Sequence, residues 1–172
     1  MSLHDACVPV FNQMLDALSA TLIKAEAHAE ARKIAPDVML GLRLVPDMFS
    51  LTKQVQVACD FAKNTSGRLA EAELPKFADA EKSFDELQER IAKTKAFISE
   101  LPAKAFAGGE ARIVTFLIAG KPHMMKGEDY LAQFAMPNFY FHLTAAYAIL
   151  RANGVALGKL DYMGRPAGLM AG

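Results

Sequence analysis

His142 is the residue whose position most clearly predicts a chemical role. Residues 136–153 predict a helix, with Pro137 in its first turn and Gly154 directly after its end. At 100° per residue, the face that carries His142 also carries Asn138, Phe139, Ala145, Ala146 and Ile149. Buried imidazoles and amides need polar partners. The sequence therefore predicts a polar site within an apolar helix face, centred on His142 with Asn138 one turn before it.

Two interpretations of His142 stay open at this point. In the first, it is a neutral core histidine that is hydrogen-bonded to another side chain or to a buried water. In the second, it contacts a ligand or acts as an acid or base at the floor of a pocket. Buried ionisable groups occur for both reasons.

The other histidines do not extend this site into a metal centre. The chain has four histidines, and neither an HExxH motif nor paired Glu-x-x-His motifs occur among them. His4, His28 and His123 lie in other predicted elements. We therefore expect no bound metal, with His142 as the only candidate ligand.

Nucleophilic chemistry is not predicted either. No serine lies in a GxSxG turn, and no glycine-rich phosphate loop follows a strand. Cys7 and Cys59 form neither a CxxC pair nor a zinc spacing. Both are interpreted as small buried apolar residues.

Composition limits the possible partners. The 172 residues are 52% hydrophobic, which is enough for one domain over residues 1–172 with a substantial core. Lys+Arg and Asp+Glu number 19 each, so a nucleic-acid interface is not expected. There is no uninterrupted apolar run of about 18 residues and no signal-peptide pattern, so we expect no membrane span and a cytoplasmic location.

Apolar periodicity predicts four long helices that position His142. The first follows a capping box at Ser2 and Asp5 and ends near Ala31, and the second runs from Pro46 to about Leu69. The third follows a capping box at Ser83 and ends at Pro102. The fourth is the helix of His142. A short helical turn is expected over residues 36–44 and a linker over residues 73–79.

The segment between the third and fourth helices has a different pattern. Residues 112–118 are rich in β-branched and aromatic residues, residues 119–121 are typical of a turn, and residues 123–126 complete a predicted β-hairpin. The tail from Val155 onward is expected to be extended. The predicted fold is all-α, a four-helix bundle with a small β-hairpin inserted between helices 3 and 4.

Three segments carry a resemblance to a known family: SLHDACVPVFNQML, LTKQVQVACDFAKN and MPNFYFHLTAAYAILRANG. They resemble an uncharacterised bacterial family within the DinB/YfiT-like superfamily, and that resemblance implies a metal-dependent enzyme. The resemblance implies a four-helix bundle. It also implies a divalent metal such as Zn or Ni on three histidines, one from the second helix and two from an HxxxH pair in the last helix. Some members of the superfamily act with low-molecular-weight thiols.

Carried onto this sequence, the metal pattern of the superfamily is incomplete. The HxxxH pair falls on Asn138 and His142, and the second-helix histidine falls near Gln56. If that match is off by a turn, Thr52 or Cys59 faces His142 instead. Because amide oxygens are weak neutral ligands for Zn or Ni, the resemblance implies a degenerate metal site.

Three functions follow as hypotheses. The first is a small-molecule binding protein with a pocket around His142 and with Asn138, Gln56 and Asp60 as polar contacts. The second is a metal-dependent, thiol-linked transferase or hydrolase. The third is a dimeric interaction protein without a ligand, and a homodimer is expected in any case.

Overall fold

A computed structural model describes residues 1–170 of the chain, and most of these residues are helical. In chain order the elements are α1 (Leu3–Ala31), α2 (Pro36–Gly41), α3 (Leu51–Leu69), α4 (Phe84–Glu100), a 3₁₀ turn (Ala103–Phe106), β1 (Ile113–Ile118), β2 (Lys121–Lys126), α5 (Gly127–Asp129), a π-helical segment (Tyr130–Ala135), α6 (Met136–Ala152) and α7 (Lys159–Met163). The expected mainly helical fold with one small antiparallel hairpin is confirmed.

The long helices α1, α3, α4 and α6 share one apolar core. Helix α3 packs against both α4 and α6, and α1 packs against α4, α3 and α6. Large side chains from all four helices are fully buried between them, among them Phe11, Leu15, Leu51, Leu87, Ile91 and Phe139. The apolar stripes of period 3.6 in the sequence therefore correspond to the buried faces of these helices.

Serine caps fix the starts of three of these helices. The Ser2 hydroxyl accepts a hydrogen bond from the Asp5 amide at 3.2 Å, and Ser83 does the same for Glu86 at 3.1 Å, as the capping boxes predict. The expected start of the second long helix at Pro46 is wrong. Ser50 is the N-cap of α3 and accepts from the Lys53 amide at 3.4 Å.

The hairpin turns through two residues with positive φ. The strands pair from Ile113 with Lys126 to Ile118 with Lys121. Ala119 and Gly120 between them have φ values of 49° and 79°. Two successive positive φ values are typical of the tight turns that match the twist of a hairpin.

The helical path to His142 begins earlier than predicted. Helix α5 starts directly after β2 and continues through the π-helical segment into α6. Pro137 has no N–H to donate to the turn before it, and the regular α pattern is interrupted in that preceding stretch, over Tyr130–Ala135. The predicted helix over residues 136–153 is confirmed as the last part of this longer helical stretch.

The tail is more ordered than the extended chain we expected. Val155 and Leu157 are buried, and α7 follows them. The Gln13 amide donates to the carbonyl oxygen of Met163 at 2.8 Å, and Lys24 pairs with Asp161 at 2.6 Å. These contacts hold α7 against α1. Residues 171–172 lie outside the described part of the chain.

Gly127 joins the hairpin to the helical stretch at a close backbone contact. Its amide donates to the carbonyl of Arg112 at 2.8 Å, and a Cβ atom at this position would overlap the carbonyl oxygen of Gly109. We expect Gly127→Ala to lower the free energy of unfolding by about 2 kcal/mol, measured by urea denaturation. Gly41→Ala is the matched control, because a Cβ there meets no atom within 4 Å. Equal stability of the two variants would contradict the close approach.

Helix α1 is long and apolar enough to cross a membrane by length and composition alone. Half of its most apolar window is buried inside the fold, which is also true of core helices in proteins that never enter a membrane. The expectations of no membrane span and of a cytoplasmic location stay predictions.

Candidate functional site

Helix α6 carries His142 on its buried face. The ring is 8% exposed, and Phe139, Ala145, Ala146 and Ile149 on the same face are also buried. Asn138 is half-buried, whereas Thr144 and Arg151 on the opposite face are exposed. The predicted orientation of His142 is therefore confirmed.

Gln54 of α3 is the polar partner of His142. Its Oε1 atom lies 2.7 Å from His142 Nδ1, and its Nε2 atom donates to the carbonyl oxygen of Phe49 at 3.3 Å. Because the amide nitrogen is used as a donor to Phe49, the amide oxygen must accept from the imidazole. The proton of the neutral ring is thus held on Nδ1, which leaves the lone pair on Nε2.

Aromatic rings surround the imidazole. The rings of Phe49 and Phe61 lie nearly parallel to it, each at an interplanar angle of 19°, with centroids at 6.3 Å and 5.9 Å. The ring of Phe141 meets it edge-on at 5.2 Å. Phe49 is 48% exposed and Phe141 is 56% exposed, so an apolar surface borders the site.

Burial keeps His142 neutral. Desolvation of the ring lowers the pKa of His142 from its ordinary value of 6.5 to about 4. Within residues 1–170, no group donates a hydrogen bond to Nε2, although this atom is not fully enclosed by the protein. The lone pair on Nε2 is therefore left to accept a hydrogen bond from a group outside the described residues.

Asn138, Gln56 and Asp60, the other predicted contact residues, form no hydrogen bond with His142 within residues 1–170. The amide nitrogen of Asn138 donates to the backbone carbonyl of Phe134 at 2.7 Å, one turn earlier in the same helical stretch. The amide nitrogen of Gln56 donates to Glu81 at 2.7 Å. Gln56 is nevertheless buried, although it lies on the polar side of its helix in the sequence pattern.

Asp60 belongs to a charged cluster that includes Gln56 and, within residues 1–170, forms no hydrogen bond with the imidazole. Its Oδ1 atom lies 3.0 Å from Arg90 and 3.1 Å from Lys63. Arg90 also pairs with Asp79 at 3.0 Å and with Glu81 at 2.9 Å. The structure therefore divides the four predicted residues between a His142 site and this Arg90 cluster.

The alternative partners from α3 are also engaged elsewhere. The Thr52 hydroxyl donates to the carbonyl oxygen of Leu40 at 3.1 Å. Cys59 is buried, and desolvation raises the pKa of its thiol to about 12. Neither residue replaces Gln54 as the partner of His142.

The donor set around His142 does not fit the divalent metal that the resemblance implies. Within residues 1–170, no three His, Cys, Asp or Glu side chains lie together in a way that could hold a metal ion. His142 offers one imidazole nitrogen, and the amide oxygen of Gln54 is used by the Nδ1 proton. Zn and Ni prefer several imidazole or thiolate ligands. The expectation that no metal binds stays a prediction.

Gln54 and Phe49 were not identified from the sequence. Gln54 lies three residues after Leu51 and four before Ala58, which places it on the apolar stripe of its helix. A single polar residue within an apolar stripe, on the helix that packs against α6, is the signal that could have found it.

Comparisons with known proteins place the chain in a family. Residues 3–163 match the family described as a domain of unknown function (DUF1993). A comparison with curated proteins found no match. The chain is similar to a DinB family member protein from Shewanella denitrificans with a crystal structure at 1.83 Å resolution, with 39% identity, a TM-score of 0.88, and coverage of 98% of this chain and 96% of that one. The resemblance found in the sequence is thus confirmed, and the chain belongs to the DUF1993 family, a DinB-like domain of unknown function.

Proposed function

We propose that this protein is a DinB-like four-helix bundle that binds a small organic molecule at His142. The observation that carries the proposal is the 2.7 Å contact between His142 Nδ1 and Gln54 Oε1. It fixes the ring in one tautomer and leaves Nε2 as an acceptor next to an exposed aromatic surface. Fixed acceptors with apolar surroundings are typical of ligand sites.

The geometry indicates which ligand suits this site. A neutral imidazole accepts at Nε2, so the ligand supplies an N–H or O–H donor. The exposed rings of Phe49 and Phe141 offer apolar area for a flat or aliphatic body. A pKa near 4 means that Nε2 is unprotonated at neutral pH, and the proton on Nδ1 is engaged by Gln54, which favours binding over acid catalysis.

A thermal-shift screen of small thiols and other small molecules tests the proposal. At a concentration of about 100 times Kd, a ligand stabilises by about 2.7 kcal/mol, which raises Tm by roughly 5–10 °C in a chain of this size. We expect hits to lose this shift in His142→Leu and to keep it in His123→Ala, whose histidine is exposed on β2. Hits should also protect His142 from carbethoxylation by diethyl pyrocarbonate.

A purely structural role of His142 gives a different result. His142→Leu would then lower Tm in the absence of ligand, while every hit keeps its full shift in that variant. Failure of diethyl pyrocarbonate to modify His142 in the folded protein would show that Nε2 is closed to solvent, and would also contradict the proposal.

The homodimer stays a separate proposal. It has support in the exposed apolar side chains on one face of the hairpin, among them Ile113, Leu117 and Met124. The metal-dependent transferase or hydrolase has no such support, because the donors near His142 fit a metal poorly.

A further inference from the structure

A cleft lies between α3, the hairpin and the π-helical segment. Its volume is about 130 Å³. Seven side chains line it: Asp60, Phe61, Asn64, Arg68, Phe116, Leu117 and Phe134. An enclosed apolar cavity of about 150 Å³ holds one benzene ring. This cleft is slightly smaller but open to solvent, so a ring of that size fits with part of its edge outside the cleft.

The walls of the cleft are aromatic. The ring of Phe134 lies 4.5 Å from that of Phe116 and 5.9 Å from that of Phe61, measured between centroids. Phe116 is buried and Phe61 and Phe134 are half-buried, so the rings are held in place by the core while part of their surface faces the cleft. Such a surface favours a flat apolar ligand.

Arg68 gives the cleft a positive charge that has no acidic partner. Its Nη1 atom donates to the Tyr130 hydroxyl at 3.0 Å, which is a neutral acceptor. Among the described residues, no carboxylate lies within salt-bridge distance of Arg68, and the side chain is half-buried. Asp60 lines the same cleft, but its carboxylate is shared by Arg90 and Lys63.

Asn64 lies one turn before Arg68 on the same face of α3 and has no side-chain hydrogen bond within residues 1–170. Its amide offers a further donor beside the guanidinium. A carboxylate has two oxygens that accept from such a pair of donors.

We propose that this cleft binds a small aromatic carboxylate. The acidic group of the ligand pairs with Arg68 and Asn64, and its ring packs against Phe116 and Phe134. This cleft shares the ring of Phe61 with the His142 site, but its donors and its ligand charge differ, and it does not depend on the function proposed above.

Titration with benzoate, followed by ¹⁵N–¹H NMR, tests this site. We expect benzoate to shift the side-chain amide signals of Asn64 and the backbone signals of residues 61–68. Benzyl alcohol has the ring without the charge, and acetate has the charge without the ring. Each is expected to bind at least tenfold more weakly than benzoate.

Substitutions separate the contribution of charge from that of fold. Arg68→Gln should weaken benzoate at least tenfold and leave benzyl alcohol unchanged, whereas Arg151→Gln, on the exposed face of α6, should change neither. His142→Leu should also keep benzoate binding, which distinguishes this site from the first. If Arg68→Gln fails to fold, Leu117→Glu provides the second variant, since it adds a negative charge at an exposed position of the cleft and should also weaken benzoate.

The proposal is overturned by any of three results. The first is that benzoate produces no shifts near Asn64. The second is that benzyl alcohol binds as tightly as benzoate. The third is that the folded Arg68 and Leu117 variants bind benzoate with the affinity of the wild type.

Discussion

Replacement of Arg90 with methionine is expected to lower the free energy of unfolding by about 3 kcal/mol. The Arg90 side chain is 1% exposed and contacts the carboxylates of Asp60, Asp79 and Glu81 at 2.9–3.0 Å. Loss of the guanidinium leaves three carboxylates close together without a shared cation. Methionine keeps much of the apolar stem, so the expected loss comes mainly from the broken ion pairs.

The same substitution should release the linker between α3 and α4. Asp79 and Glu81 belong to this linker, and the carbonyl oxygen of Ala78 also accepts from Arg90 at 3.3 Å. The ring of Phe77 lies under Lys63 at 4.5 Å and under Arg90 at 5.7 Å. Arg90 is thus the residue on α4 that Phe77, Ala78, Asp79 and Glu81 of the linker all contact, and its loss removes these contacts together.

Electrostatics within the cluster agree with this role. Burial raises the pKa of Glu81, but hydrogen bonds from Arg90 and Gln56 outweigh it and leave the pKa below its ordinary value. The pKa of Asp79 is lowered in the same way, against its own burial, by Lys53 and Arg90. Both carboxylates are therefore charged and bound to cations at neutral pH.

Urea denaturation measures the loss of stability, and limited trypsin digestion at Lys76 and Lys82 measures the release of the linker. Lys93→Met is the matched control, since Lys93 lies on the same helix and forms a 3.2 Å pair with Glu89 in which both side chains are largely exposed. Its effect should stay within about 0.5 kcal/mol. A loss below about 1 kcal/mol in Arg90→Met, with trypsin resistance unchanged, would show that the cluster does not hold the linker.

The position of Arg90 illustrates what periodicity can and cannot reveal. Arg90 lies three residues after Leu87 and four before Thr94, and therefore falls on the buried side of α4. The sequence does not show which carboxylates meet it, because the linker reaches it only in the folded chain. In the sequence pattern Gln56 and Asp60 lie on a polar face of α3. The pattern does not show that the linker covers this face in the folded chain.

The sequence also predicted only part of the His142 site, namely the orientation of the imidazole and its need for a polar partner. The period of 3.6 residues places His142 on the inner face of its helix, and burial of a polar ring requires a partner. The partner lies on another helix, so its identity depends on the relative axial position of α3 and α6. An error of one half-turn separates the expected Gln56 from the observed Gln54. The π-helical segment before α6 was missed because its residues have ordinary helical propensity.

Acidification should destabilise the folded protein through His142. The folded protein holds the pKa of His142 at about 4, whereas the unfolded chain titrates at the ordinary value of 6.5. Between these values the unfolded state binds more protons, so the free energy of unfolding falls as pH falls. The expected loss from this group is about 3 kcal/mol between pH 7 and pH 4.

Comparison with His142→Leu isolates this contribution, because both proteins contain the same carboxylates. The stability of each is measured by urea denaturation in steps from pH 7 to pH 4. Over that range, the free energy of unfolding of the wild type should fall by about 3 kcal/mol more than that of His142→Leu. Asp79 and Glu81 act in a lower window, since carboxylates with a lowered pKa stabilise the fold above about pH 4 and lose that effect below it. His123→Ala should follow the wild type, because its ring is exposed. A constant difference between wild type and His142→Leu would mean that the ring accepts its proton in the folded protein as easily as in the unfolded chain, and burial would then not lower the pKa of His142.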